Sequence, residues 1–336
     1  MFLKAQKNGV QFRPHFKTHQ SLEIGRWFKE LGTDKITVSS LEMAEKFSGQ
    51  WNDITVAFPV NILEIATINK LAEKIHLNLL IESTDTIEFL KKNLKHEVGF
   101  FIKIDVGYHR AGILPTDSGV IESILRIADM SSLLDFKGFL THTGQTYVCR
   151  SKEEIRRTHQ TSIAQLLALK EEYPDAMLSI GDTPSCSVID DFSAVDEIRP
   201  GNFVFYDLMQ YCIGSCEISQ IAVAMACPIV AIHKNRNEIV MYGGGVHFSK
   251  ERLEDDEFGT IYGKVVEKKG NSWGNVIPGM YVKNLSQEHG IVAVPNSGIS
   301  DYKIGDLLFI LPVHSCMTAN LMKAYYTTEG RVIERV

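Results

Sequence analysis

The 336-residue chain is 44% hydrophobic and 23% charged, with a formal net charge of −6. That composition describes a globular protein with ample core material and excludes disordered and fibrous chains. The acidic balance argues against general nucleic-acid binding, which leaves a basic footprint. The length allows roughly two domains, or one α/β barrel with something added. No apolar run reaches the roughly 18 residues of a membrane span, and residues 1–7 contain no signal-peptide core. A cytoplasmic protein acting on small molecules is expected, with neither membrane nor nucleic acid as partner. The six cysteines, at 149, 186, 212, 216, 227 and 316, are dispersed, which is no disulfide framework. Cys212 and Cys216 have the spacing of a metal half-site, but no second pair or nearby histidine completes it.

In chain order, a helix-like stretch at 2–7 precedes a short strand at 11–13. Further strands are expected at 35–39, 54–57, 77–81, 99–105, 136–141, 177–180 and 197–199, alternating with helical patterns at 21–31, 41–47, 62–75, 85–94, 120–130 and 152–173. A β-α repeat demands parallel strands with crossover helices, and about eight such units fit a closed (β/α)8 TIM-type barrel better than an open sheet. The barrel domain is assigned to residues 1–215 and a mostly β domain to 216–336. The second domain shows strand patterns at 222–233, 238–242, 260–267, 279–282, 290–294 and 306–311, and a charged loop or short helix at 250–258.

Barrel enzymes carry reactive groups at strand C-termini, and Lys17, Arg110, His142, Thr183 and Asn202 all follow candidate strands. Lys17 lies in Arg13-Pro14-His15-Phe16-Lys17-Thr18-His19. A lysine becomes a useful nucleophile at neutral pH when desolvation or nearby positive charge lowers its pKa, and Arg13, His15 and His19 could supply that charge. The loops Gly181-Asp182-Thr183-Pro184-Ser185 and Arg199-Pro200-Gly201-Asn202 can present N–H groups and hydroxyls to a phosphate, or can be plain capped turns. Arg110 suits an anionic ring oxygen or a carboxylate, or pairs with a structural acid. His142 and Tyr147 read equally as a packed histidine beside an exposed tyrosine. Gly243-Gly244-Gly245 lacks the context of a dinucleotide fingerprint and reads as a close-approach turn. In a strand, His314 and Cys316 would share a face, an imidazole and a thiolate suited to Zn²⁺. Alone, the pair reads as a buried histidine and cysteine.

Five motifs occur in one order: Arg-Pro-His-x-Lys-Thr-His at 13–19, Gly-Asp-Thr-Pro-Ser at 181–185, Arg-Pro-Gly-Asn at 199–202, Leu-Ser-Gln-Glu-His-Gly at 285–290 and Pro-Val-His-Ser-Cys at 312–316. From about residue 10 to about residue 322 the chain resembles the D-threonine aldolase and D-serine dehydratase family, pyridoxal-phosphate enzymes whose barrel resembles that of alanine racemase. The resemblance implies that Lys17 holds pyridoxal 5'-phosphate and serves as the base at the α carbon. It implies that Thr183, Gly201 and Asn202 cradle the phosphate, that Tyr147 contacts the cofactor, and that Arg110 lies near the substituents of the pyridine ring. It implies a metal, Zn²⁺ or another divalent ion, on His314 and Cys316, the cysteine pointing to the zinc-using dehydratase branch. D-Serine dehydration is the first expectation. D-Threonine-type aldol cleavage, an amino-acid racemase and a cofactor-carrying homeostasis protein are alternatives, and a homodimer is implied. Departures are Gln145, where many relatives have a second histidine, the Gly243–Gly245 turn, where relatives often have an aspartate, and a start that lacks the upstream strand, so the natural N-terminus is expected to extend further.

Overall fold

The computed structural model describes residues 1–270, 272–295 and 298–336. Two compact units emerge, Met1–Phe203 with Val336, and Val204–Arg335; residues 204–215 group with the second.

The first unit opens with helix α1 (Phe2–Asn8) and then alternates strands and helices. The strands are β1 (Gln11–Phe12), β2 (Lys35–Val38), β3 (Asp53–Pro59), β4 (His76–Ile81), β5 (Val98–Lys103), β6 (Leu134–Leu140), β7 (Met177–Ile180) and β8 (Glu197–Ile198). All neighbours are parallel, in the order β1-β8-β7-β6-β5-β4-β3-β2. A parallel bridge between His15 and Thr37 joins the two ends of that order, so the sheet is a nearly closed barrel, as the repeat of apolar runs predicts. The strands are short runs of Ile, Val, Leu and Phe because a parallel sheet is covered on both faces. The crossover helices α2 (Leu22–Glu30), α3 (Leu41–Ser48), α4 (Ile65–Ala72), α5 (Thr84–Asn93), α6 (Ser118–Ala128) and α7 (Lys152–Glu172) each bury a stripe that includes Ile24, Phe47, Ile68, Leu90, Ile121 and Leu166 respectively. Ser40, Ser83 and Ser151 cap three of them by accepting the N3 backbone N–H.

Polar residues fill the lower barrel. Arg13 Nε donates to Glu197 Oε2 at 2.6 Å and its Nη1 to Asp53 Oδ1 at 2.5 Å, while Ser179 Oγ bridges Glu197 and Arg199. Gly138 sits at a bulge in β6 with φ of 143°, and a Cβ there would run into the Met177 backbone. Gly138→Ala is therefore expected to cost about 3 kcal/mol or more, read as a lower denaturant midpoint; a midpoint equal to that of the parent chain would show that the bulge relaxes freely.

The second unit holds a closed six-stranded barrel of β9 (Met225–His233), β10 (Glu238–Tyr242), β13 (Gly263–Lys269), β14 (Ser272–Leu285), β15 (His289–Ala293) and β16 (Leu307–Pro312), in the order β10-β15-β14-β13-β16-β9. Closure leaves no free edge, and Ile239, Met241, Val265, Val282, Val292 and Ile310 fill its core. The charged stretch at 250–258, expected as a loop or short helix, instead contributes β11 (Leu253–Asp255), paired with β12 (Gly259–Ile261). Leu253 and Ile261 are buried against Leu311 and Val313, so two apolar residues outweigh the surrounding charge. Strand β14 is far longer than the expected 279–282, because Gly274, Pro278 and Gly279 interrupt its apolar pattern without ending its pairing. The glycine turn at 243–245 leads into the single-turn helix α10 (Gly245–Phe248). A Cβ on Gly244 would collide with Gln287 O, the close approach expected of that turn.

Candidate active site

In the first unit the C-terminal strand ends carry most of the residues singled out by sequence. Lys17 follows β1 on an exposed turn whose neighbours Phe16, Thr18 and His19 are buried. Thr183 opens helix α8 (Thr183–Val188) after β7, and Gly201 and Asn202 follow β8. Arg110 rides on a loop after β5 that Asp105 builds by accepting the backbone N–H groups of Gly107, Tyr108 and His109 at 2.8–3.0 Å. The loop returns at Gly112, whose φ of 119° and whose approach to Asp105 N exclude a side chain. The Arg110 guanidinium lies 5.0 Å from the centre of the Tyr108 ring.

His142, after β6, is the hub. Its Nδ1 pairs with Gly181 O, and its ring lies 5.9 Å from that of half-buried Tyr147. Burial pushes the His142 pKa well below the ordinary value, and Lys17, Lys103 and Arg110 push it further. His15 is lowered in the same way, first by burial and then by Lys17, Arg199 and His142. Lys17 thus lies near two neutral imidazoles, and Arg110 and Tyr147 near one of them, His142. Gly201 joins them: a Cβ there would come 2.9 Å from His15 O and 3.3 Å from Thr18 Oγ1. The expectation that Arg13, His15 and His19 place positive charge beside Lys17 fails. Arg13 is spent on Glu197 and Asp53, His15 is held neutral, and His19 packs among Phe16, Phe28 and Phe47 with its Nδ1 accepting from Ser21 N–H.

The positive charge comes from groups that sequence reading passed over. Lys103 is buried at the end of β5, and burial, then Arg199 and Arg110, lower its pKa to about 7. Arg199 is buried too, with Nε on Ser179 Oγ and Nη2 on Thr141 O, both at 2.6 Å. Asp182, the cap of α8, accepts Ser185 N–H at 2.8 Å and the Thr146 hydroxyl at 3.0 Å, and burial raises its pKa to about 6. An apolar strand that ends in lysine, Phe100-Phe101-Ile102-Lys103, was the available sequence signal for this cluster.

A mouth with this cationic excess suits an anionic guest. The residues fit a phosphate-bearing cofactor on two further grounds. Thr183 Oγ1 is buried without a protein partner, and such an orphan hydroxyl is an invitation to an anion. Gly201, with no side chain, packs directly against His15 O, so the loop after β8 is held beside the turn that carries Lys17.

Lys103 also gives a pH prediction for the cofactor-free protein. Its pKa falls from 10.5 in the unfolded chain to about 7 in the native state, so the unfolded chain holds the extra proton between those values and stability rises with pH across that window. Below about 7 both states are protonated and the native one carries the full cost. Lys103→Met is expected to flatten the rise and to stabilise the protein at neutral and lower pH, by about 5 kcal/mol at the upper limit. Denaturant titrations at several pH values read this out, and an unchanged slope would contradict it.

In the second unit His314 and Cys316 come together differently from the expected strand alternation. Strand β16 ends at Pro312; His314 is the cap of helix α11 (Ser315–Leu321) and Cys316 lies in its first turn. The chain turns from strand to helix there, so i and i+2 do not share a strand face. The two side chains nevertheless interact. Burial lowers the His314 pKa, but the Asp207 carboxylate and the Cys316 sulfur override it and raise it to about 10. An imidazole with a thiol is the donor set of zinc. Among the described residues no group of three or more histidine, cysteine or acidic side chains is arranged to hold a metal ion, so a metal on this pair would take its remaining ligands from water or substrate. Cys212 is exposed and Cys216 buried, and neither is in a disulfide.

Residues 3–208 match the alanine racemase N-terminal domain family, and residues 222–328 match the putative serine dehydratase domain family. The D-serine dehydratase of Dictyostelium discoideum is 30% identical, in an alignment covering 96% of this chain and 87% of that protein. The chain belongs to the D-serine dehydratase and D-threonine aldolase family. Members of this family are alanine-racemase-like pyridoxal-phosphate enzymes, and this chain is an enzyme of the lyase type. Another relative in the D-serine dehydratase and D-threonine aldolase family is the D-threo-3-hydroxyaspartate dehydratase of Delftia sp. HT23, whose structure is similar with a TM-score of 0.90 and 25% identity, covering 99% of this chain and 92% of that one. The D-threonine aldolase of Filomicrobium marinum shares the fold, with a TM-score of 0.80 at 18% identity, covering 99% of this chain and 89% of that one.

Proposed function

We propose that this enzyme converts D-serine, or a close D-β-hydroxy amino acid, to the 2-keto acid and ammonia, with pyridoxal phosphate on Lys17 and Zn²⁺ on His314 and Cys316. The observation that carries the cofactor assignment is the set of cationic groups around His15 and His142, together with the buried, unpartnered Thr183 hydroxyl after β7. When bound, pyridoxal phosphate supplies an electron sink for negative charge at the substrate α carbon, and the metal supplies a Lewis acid for the β-hydroxyl.

The chain's own residues do the rest. The Lys17 amine takes the proton from the α carbon, and its exposed turn gives it reach. Thr183 donates its free hydroxyl to the phosphate, while Gly201 and Asn202 admit that phosphate close to the backbone. Arg110 directs positive charge at an oxygen anion, and Tyr147, against His142, restricts the ring's position. Loss of the α proton and the β-hydroxyl gives an enamine and water. Its imine tautomer then takes up water, so the balance is one D-serine to one pyruvate and one ammonia. Supply of that substrate requires a reaction that makes the D-configured amino acid.

Both units are matched along nearly their whole length by dehydratases, which favours elimination over racemisation. A cofactor carrier without turnover needs neither the second unit nor the histidine-cysteine pair. Among the described residues no helix is long and apolar enough to cross a membrane. The test is a panel of D- and L-serine, D-threonine and D-threo-3-hydroxyaspartate, with and without chelator, assayed for keto acid, aldehyde and enantiomer. Keto acid from D-serine that disappears with chelator is expected. Aldehyde with glycine from D-threonine as the main activity would replace dehydration by aldol cleavage, and enantiomer alone would indicate a racemase.

A further inference from the structure

Asp207 is fully buried and lies far from His314 in sequence, yet its carboxylate sits against that residue. Its two oxygens have separate duties. Oδ1 accepts Gln210 N–H at 2.9 Å and so caps helix α9 (Leu208–Cys212). A cap needs only one acceptor, and serine or asparagine serves as well there. Oδ2 accepts both the backbone N–H and the hydroxyl of Ser315, at 2.9 and 3.2 Å, and lies 3.4 Å from His314 Nδ1. The last contact has ion-pair distance but is off the line of a hydrogen bond.

The backbone around the carboxylate is fixed from several sides. Tyr206, next to it, takes a φ of 50°, which a tyrosine adopts only when its surroundings impose it. Met209 N–H donates to Val313 O at 3.1 Å, tying the two segments together one residue before the histidine. Ser315, itself fully buried, holds Oδ2 in place from both its donors.

We infer that Asp207 is the positioning residue for the metal ligand His314, engaging Nδ1 so that the ring presents Nε2 as the metal-binding nitrogen. The inference rests on the metal reading proposed above. Histidine ligands generally have a partner on the second nitrogen, which fixes the tautomer and the ring plane and raises ligand basicity, and loss of that partner costs about 10–100-fold in metal affinity. Asp207 touches neither substrate nor cofactor in this role; it acts through the imidazole, with Ser315 holding the carboxylate.

The experiment is a titration of metal-stripped full-length protein with Zn²⁺ against a competing chelator, comparing the parent chain with Asp207→Asn, Ser315→Ala and His314→Ala, with a thermal melt of each. Co²⁺ spectra supply a second readout of ligand geometry. His314→Ala is expected to abolish tight binding, Asp207→Asn to weaken it about 10–100-fold with an altered Co²⁺ spectrum, and Ser315→Ala to weaken it several-fold. A merely structural Asp207 would lower the melting temperature and leave the zinc dissociation constant and the Co²⁺ spectrum unchanged, which overturns the inference. If Asp207→Asn does not fold, Ser315→Ala decides, because it removes one of the two donors that hold Oδ2 while sparing the backbone N–H and the cap of α9; affinity equal to the parent's again overturns it. A parent chain that binds no zinc, or His314→Ala binding as tightly as the parent, overturns the metal reading and this inference with it. Loss confined to His314→Ala overturns the role of Asp207 alone.

Discussion

Lys17→Ala is expected to lower turnover by about 10⁴-fold, because in the proposed reaction one amine both anchors the cofactor and moves the α proton. The same substitution should remove the visible absorbance of lysine-bound pyridoxal phosphate, while the barrel keeps its secondary structure. The side chain lies on an exposed turn and is not part of the packed core, so the loss is chemical and the melting temperature of the cofactor-free protein should hardly move. Lys17→Arg separates the two contributions of the residue. It keeps a positive charge beside His15 and His142 but offers no nucleophilic amine, and it should be as inactive as alanine. A Lys17→Arg protein that retains substantial turnover would mean that the charge at this position matters and the amine does not.

Cys316→Ala should remove the metal and lower dehydration by about 10³-fold, the several kcal/mol expected of a Lewis acid at a leaving hydroxyl, while leaving the absorbance of the bound cofactor in place. The reason is the division of labour proposed for the two units. The cationic mouth, with Lys17, Arg110, Thr183 and Gly201, lies wholly in the first, whereas Cys316 and His314 are folded by the strand-to-helix turn after β16 in the second. Cofactor absorbance and metal content measured on one sample therefore report the two assignments separately. Unchanged turnover after exhaustive metal removal would sink the metal role and leave the pyridoxal-phosphate assignment standing.

The barrel was legible because each of its strands is a compact apolar run separated by an amphipathic helix. Runs such as Leu77-Asn78-Leu79-Leu80-Ile81 and Gly99-Phe100-Phe101-Ile102 need no tertiary information to be recognised. The second unit was harder, since its pairing survives interruptions. The expected strand began only at Gly279, just after Pro278, yet β14 runs through both from Ser272, and the hairpin of β11 and β12 buries Leu253 from inside a charged stretch. Site residues divided along a similar line. Lysine, threonine, asparagine and arginine at strand ends could be placed from the repeat. Lys103, Asp182, Arg199 and Asp207 could not, because their importance lies in what surrounds them after folding: two arginines near a buried lysine, and a cap whose second oxygen faces a histidine. His314 and Cys316 were found for a reason that the fold replaces, since a helix cap and its first turn, and no strand face, bring them together.

The most direct test of D-serine dehydration is to supply the purified chain with pyridoxal phosphate and Zn²⁺, add D-serine or L-serine, and measure pyruvate and ammonia together. Pyruvate and ammonia are expected in equal amounts from D-serine, and neither from L-serine. Saturating cofactor and metal with no keto acid from D-serine or from any other D-β-hydroxy amino acid would contradict the proposed reaction.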